Sequence, residues 1–278
     1  MLLGLNGATT MKADLPMDIA AASAAGFKAL EIWAAKLDDY LRDHRCEELS
    51  TLLSQRAILP ASINSIEFIT FRPEHEHAQI TSRCQQLCAW AHEVGCDKIV
   101  VVPSPTPKGQ VSRAEIRTES VNVLRELAAI AEPYGVKLAF EFLGFPWCSV
   151  RTLEQCWEIV QETALPNVGL VIDTCHFYAG DSSLDSIAEV SPQKIFIFHI
   201  NDVEDRPKDS IEDAYRLLPG EGVIPLNDIL AQLKRIGFDG LCSVELFRPE
   251  YWEREPSELA AAARAAALRV LSPYFEVA

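Results

Sequence analysis

Gly169-Leu170-Val171-Ile172-Asp173 and, one short helical stretch later, Ile195-Phe196-Ile197-Phe198-His199 are apolar runs that each end on a single polar residue able to do chemistry. Residues 183–189, between them, have helical rather than alternating spacing. Outward in both directions the same unit recurs, giving strand candidates at Leu2–Asn6, Ala29–Trp33, Ala61–Ile66, Lys98–Val102, Lys137–Phe142, Gly169–Asp173, Lys194–Ile200 and Leu241–Leu246. Helical stretches follow near 17–25, 45–56, 76–94, 111–134, 152–163, 183–189, 226–236 and 256–272. Gly95 punctuates the third of these, and Gly237-Phe238-Asp239-Gly240 makes the turn into the last strand. Such alternation predicts a parallel sheet, because parallel neighbours need a crossover helix. Eight βα units in 278 residues match the size of a (β/α)8 TIM barrel of the α/β class. No linker rich in Gly, Pro or Ser divides the chain, so residues 1–278 read as a single domain. The Ala-rich run Leu259–Leu268 reads as the outer helix that closes the ring.

Lys and Arg number 25 against 40 Asp and Glu, a formal charge of −15, which opposes binding to nucleic-acid backbones and anionic lipid surfaces. No window approaches the roughly eighteen apolar residues of a membrane span, and Met1–Leu5 lacks the basic start of a signal peptide. The expectation is therefore a cytoplasmic protein. Eight cysteines, at 46, 84, 88, 96, 148, 156, 175 and 242, include no CxxC pair and read as free thiols. Cys84 and Cys88 share a helix face, but two further zinc ligands are lacking at comparable reach, so they read as small core residues.

In a parallel barrel the chemistry gathers at the carboxyl ends of the strands. Four successive strands end alike: Leu138-Ala139-Phe140-Glu141, Leu170-Val171-Ile172-Asp173, Ile197-Phe198-His199 and Ser243-Val244-Glu245. A lone strand-end carboxylate is usually a helix cap or an ion-pair partner. Several projected into one half-buried mouth repel one another and lose hydration unless a cation joins them. Three carboxylates and one imidazole suit one divalent ion with open positions, Mn²⁺, Mg²⁺, Co²⁺ or Zn²⁺, rather than a closed structural zinc site. His176, three residues beyond Asp173, is expected in the following loop, either leaning over the site or serving as a capping or packing residue.

The strings Ala139-Phe140-Glu141-Phe142-Leu143-Gly144, Gly169–Phe177, Ile195–Asp202 and Ser243-Val244-Glu245-Leu246-Phe247-Arg248-Pro249-Glu250-Tyr251 resemble the xylose-isomerase-like TIM-barrel superfamily of sugar isomerases and epimerases. Within it the likeness is to the isomerases of ketoinositols, and it includes Asn6-Gly7-Ala8-Thr9-Thr10 and Ala131–Lys137. The resemblance implies Glu141, Asp173, His199 and Glu245 as ligands of the divalent ion. It implies His176 and Arg248 as substrate contacts, with Arg216 and the Pro219-Gly220-Glu221-Gly222 loop closing the pocket, while Trp147 is expected at the substrate from its position just after Glu141. One departure stands at Phe145, where the pattern leads one to expect histidine, and Trp147 is bulkier than expected. With Phe247 these rings are expected to form an apolar rim over one face of the substrate.

The reaction implied is ketone migration in an unphosphorylated polyol or sugar, 2-keto-myo-inositol to 1-keto-D-chiro-inositol, through an enediolate, with Glu141 and Glu245 as candidate bases. A ketose 3-epimerase is the alternative, since two bases on opposite faces of one carbon would epimerise it. A multi-zinc repair nuclease of the same superfamily would need more histidines than the six present, and no Asp-x-His follows Lys194–Ile200. A sugar-binding barrel without turnover is weakly disfavoured by the two glutamates. A homo-oligomer is left open. Pro219–Gly222 lacks the lysine of a phosphate loop and reads as a turn; Glu74-His75-Glu76-His77 reads as a solvated helix start.

Overall fold

Alternation along each strand decides what fills the barrel and what crowns it. In the computed structural model, which describes residues 1–109 and 111–278, the strands β1 (Leu2–Asn6), β2 (Ala29–Trp33), β3 (Leu59–Ile66), β4 (Lys98–Val101), β5 (Lys137–Glu141), β6 (Val168–Asp173) and β7 (Ile195–Ile200) precede a short hairpin, β8 (Asp202–Val203) and β9 (Arg216–Leu217), and a last barrel strand, β10 (Leu241–Val244). The barrel closes in the order β1-β10-β7-β6-β5-β4-β3-β2, with every neighbouring pair parallel. Leu2, Ala29, Ala61, Val100, Ala139, Val171, Ile197 and Leu241, one from each strand, pack together as a small cluster apart from the main core. Side chains two residues further along point the same way. The period therefore sets Glu31 above Ala29, Glu141 above Ala139, Asp173 above Val171 and His199 above Ile197.

The larger core lies between strands and helices. In α9 (Leu226–Arg235), Leu226, Ile229, Leu230 and Leu233 repeat on one face and are the buried residues. The Ala-rich segment forms α10 (Pro256–Leu271), which packs on α1 (Leu15–Ala25), where the small side chains let the helices approach. Gly95 caps α4 (Glu74–Val94) in the left-handed region at φ 85°, as its place in the sequence suggests. All eight cysteines are buried free thiols, Cys84 and Cys88 with sulfurs 3.9 Å apart.

Three elements depart from the sequence-based reading. Ala34–Tyr40 is an added helix, α2, which carries Lys36 into the interior. Lys36 Nζ donates to Gly7 O at 2.9 Å, Thr10 O at 2.8 Å and Asp18 Oδ2 at 2.7 Å, pinning the loop after β1. Breaking such a buried pair costs about 3–5 kcal/mol. Thr174–Ala179 is a second added helix, α7, so His176 sits in a helix and not in a loop: Asp173 caps that helix by accepting from the His176 N–H at 2.8 Å. The third is the β8–β9 hairpin, too short to show any alternation.

Candidate metal centre and active-site cavity

The four strand-end residues meet. Glu141, Asp173, His199 and Glu245 are all buried, and one ligand atom from each lies within 4.8 Å of the others. His199 Nδ1 is 2.9 Å from Glu141 Oε1, 3.3 Å from Glu245 Oε2 and 4.0 Å from Asp173 Oδ2. Glu245 falls just past the end of β10 yet still points inward, two residues beyond Ser243, the partner of His199 in the ladder. The donor set fits a divalent cation: three carboxylates and one imidazole converge in a buried spot at the floor of the barrel mouth. Burial pulls the His199 imidazole down, but Glu245, Glu31 and Glu141 outweigh it and hold the ring well above its ordinary value. In the protein alone that proton offsets part of the negative charge that a metal ion would balance.

The opposite face of His199 shows which ring nitrogen would be left for an ion. Nε2 lies 2.9 Å from Glu31 Oε1, and Glu31 is completely buried, with Asn6 Nδ2 donating to Oε1 at 3.2 Å and Ser62 bonding Oε2. A carboxylate that takes the second ring N–H fixes the tautomer and frees the other nitrogen for a metal. Glu31 was missed in the sequence, although Ala29-Leu30-Glu31 has the same apolar-then-acid form, because Ile32 and Trp33 carry the strand on beyond it. Glu31→Gln is expected to lower metal affinity about 10–100-fold with the fold retained. Competition against a chelating dye measures this, and an unchanged affinity removes Glu31 from the centre.

Glu245 is held on all sides. Its Oε1 accepts from Asn6 Nδ2 at 3.0 Å and Asn64 Nδ2 at 2.8 Å, and its Oε2 accepts from Arg216 Nη1 at 3.0 Å. Glu141 differs: Oε1 faces His199, and Oε2 has no hydrogen-bond partner among the described residues. Burial drives the Glu141 carboxyl up to about 7; His199 opposes the rise, and the like charges of Glu245 and Asp173 add to it. Asp173 goes the other way, to about 2, because Arg216 above all overcomes the effect of burial.

Arg216, on β9, is buried against the centre, while its hairpin position was invisible to strand periodicity. Its Nη2 lies 3.1 Å from His176 Nε2. A guanidinium can only donate, so Nε2 accepts and His176 is the neutral tautomer with its proton on Nδ1. That N–H has no partner among the described residues. Burial holds the ring down at about 4.

Glu141, Glu245, His176 and Arg216 line a cavity of about 170 Å³ together with Trp33, Phe68, Phe145, Trp147 and Phe247. Phe145 stands edge-on to His176 with ring centres 4.9 Å apart, and Trp147, 43% exposed, leans on Phe145 at the mouth. Gly144 makes this loop possible, since a Cβ there would lie 2.3 Å from the His176 carbonyl oxygen. Arg248 is not among the lining residues: its guanidinium turns to Glu204 at 2.8 Å and Glu250 at 3.3 Å. The Pro219–Gly222 loop does not line the cavity either, and it is no phosphate cradle, because Asp202 takes the N–H groups of Gly220 and Ile224. Glu74–His77 opens α4, where His75 and Glu76 border a wider groove of about 650 Å³ beside the cavity. That groove contains none of the quartet, and its Arg72 and Arg83 are paired with Glu76 and Asp38.

Comparison with known proteins agrees with this geometry. The profile of the family described as "Xylose isomerase-like TIM barrel" matches residues 19–271. The inosose isomerase of Bacillus subtilis (strain 168) is 39% identical over 279 positions, covering 100% of both chains. That of Bacillus velezensis is 38% identical over 277 residues, 99% of each chain. A crystal structure of the IOLI protein with a bound zinc atom superposes with a TM-score of 0.96 at 39% identity, covering 99% of this chain and 100% of that one. With a closed eightfold barrel, a matching profile and relatives aligned from end to end, the chain belongs to the xylose isomerase-like TIM-barrel family, in the branch that holds the inosose isomerases.

Proposed function

We propose that the protein is a metal-dependent isomerase that moves the ketone of an inosose to the neighbouring carbon by proton transfer through an enediolate. The observation that carries this reading is that the buried quartet, its ligand atoms within 4.8 Å, reaches a cavity through Glu141 and Glu245, and that of the quartet's carboxylate oxygens Glu141 Oε2 alone lacks a hydrogen-bond partner among the described residues. The activity named for the relatives and the zinc atom of the related structure point the same way. Glu141, Asp173, His199 and Glu245 would hold the ion, which when bound supplies Lewis acidity to a ketone and its adjacent hydroxyl.

The residues of the chain do the rest. The free oxygen of Glu141 takes the proton from the carbon beside the ketone and returns it to the former carbonyl carbon, while the hydroxyl proton of the first carbon passes to the former carbonyl oxygen. The Nδ1–H of His176 offers a donor to a substrate oxygen. Trp147, Phe145 and Phe247 cover the ring and exclude water from the enediolate. At about 170 Å³ the cavity is smaller than the roughly 300–1,000 Å³ of pockets for drug-sized ligands, which suits a single small ring. Among the described lining residues Arg216 is the one Lys or Arg, and Asp173, Glu245 and Asp213 already engage it, so a neutral polyol ketone fits better than a phosphorylated or carboxylated substrate.

The tight hold of Asn6, Asn64 and Arg216 on Glu245 favours one-base isomerisation over two-base 3-epimerisation. Incubation of the metal-loaded protein with 2-keto-myo-inositol in D₂O tests the choice. The expected product has its ketone displaced by one carbon and carries some solvent deuterium at the carbon that received the proton; chelation abolishes the conversion and metal restores it. No turnover of any inosose, with exchange at C3 of free ketohexoses, would assign the protein to the epimerases.

A further inference from the structure

Arg216 is the largest side chain that the fold buries completely. Its guanidinium is ringed by four acceptors: Asp173 Oδ2 at 2.7 Å, Asp213 Oδ1 at 2.9 Å, Glu245 Oε2 at 3.0 Å and His176 Nε2 at 3.1 Å. Three carboxylates and one imidazole are also the composition of the metal quartet, and Asp173 and Glu245 belong to both sets. Two neighbouring cation positions that share two carboxylates have the layout of a two-metal centre, in which the ions lie about 3.5–4 Å apart. Two of the four acceptors already stand close, since Asp173 and His176, with Cys175 beside them, bring ligand atoms within 4.8 Å of one another. His176 faces the same spot, because Nε2 accepts from Arg216 through the one ring lone pair that an ion there would otherwise take.

We propose that Arg216 is the resident second cation of this centre: its guanidinium stands where a second divalent ion, bridged to the first through Asp173 and Glu245 and completed by His176 and Asp213, would be held, and so it keeps the centre at one ion. The inference rests on the proposed binding of an ion by the quartet. Physical chemistry gives it direction. Without the guanidinium, Asp173 and Glu245 stay buried with less positive charge around them, a state that recruits a cation. The acceptors stand at hydrogen-bonding distance and must close to about 2.0–2.2 Å to ligate zinc. Asp213, whose side chain is 41% exposed on a surface turn, is free to do so. A fixed guanidinium also restricts the chemistry, because one Lewis acid serves a ketone and its adjacent hydroxyl, whereas paired ions clamp both oxygens of a displacement.

The test is a titration of the chelated, full-length protein with Mn²⁺ alone, with bound ions counted by elemental analysis and coupling between them read by electron paramagnetic resonance. Wild type is expected to take one ion with an isolated signal, and Arg216→Ala two ions with a spin-coupled signal. Arg216→Lys, which keeps a positive charge, stays at one, and Arg216→Ala with His176→Ala returns to one. Circular dichroism checks each fold, and Arg216→Met, of similar length, replaces the alanine variant if that fails to fold. One ion in the charge-removing variant, two in the double variant, or a coupled pair in wild type each overturns the inference. No ion in wild type instead overturns the metal reading on which it rests.

Discussion

Glu141→Gln is expected to lower kcat on 2-keto-myo-inositol by about 10²–10⁴-fold, the usual contribution of a positioned base. The glutamine can still present its carbonyl oxygen where Glu141 Oε1 now lies, so at saturating metal the variant is expected to load, with affinity lowered by loss of the anionic charge. It has no carboxylate to take the proton. Glu245→Gln behaves differently for a geometric reason. One carboxylate oxygen faces the two amide donors of Asn6 and Asn64, and the other faces Arg216, so a glutamine NH₂ meets a donor in either orientation. Loss of activity there should come with loss of metal and of stability. Metal content and turnover measured on the same preparations separate the two cases. A fully metallated Glu141→Gln with turnover within about tenfold of wild type would transfer the base role elsewhere, since a positioned base contributes more than that.

Most of the barrel was legible because its signal is local and repeated. An apolar run followed by a helical stretch recurs eight times, and the ranges read for β1 and β2 coincide with those observed. The quartet was legible for the same reason, since Glu141, Asp173 and His199 each close a run whose period sets them above the lumen cluster. What was hidden depends on contacts distant in sequence. Glu31 reaches His199 across 168 positions, and Asn6 reaches Glu245 across 239, with no local pattern to announce either pair. Arg216, named beforehand only through the family resemblance, lies on a strand of two residues and is fixed by partners from β6, from beyond β10 and from the turn before it. Arg248 marks the opposite limit. Its place two residues past Leu246 gave no sign that Glu204 and Glu250 would draw it away from the cavity.

Asp173→Asn should remove the ion and weaken the fold together, because Asp173 joins three tasks in one carboxylate. It offers an anionic ligand to the quartet, caps α7 through the His176 N–H at 2.8 Å, and accepts from Arg216 Nη1 and Asn201 Nδ2, both at 2.7 Å. Asparagine can keep the cap with its oxygen, but its NH₂ then points at two other donors. If the oxygen turns to those donors, the cap is lost instead. Breaking a buried ion pair costs about 3–5 kcal/mol, an upper bound here because Glu245 and Asp213 still hold Arg216. The metal effect is read separately from the dependence of Tm on ion concentration. A ligand at a hundred times its Kd adds about 2.7 kcal/mol to the stability of the state that binds it. Wild type should therefore gain several degrees on loading, while Asp173→Asn gains almost nothing at the same concentration, whatever its starting Tm. The outcome that counts against the assignment is an asparagine variant with lowered basal stability but the full metal-induced rise. Asp173 would then be the cap and ion-pair partner of the fold, and the ion would be held by Glu141, His199 and Glu245 without it.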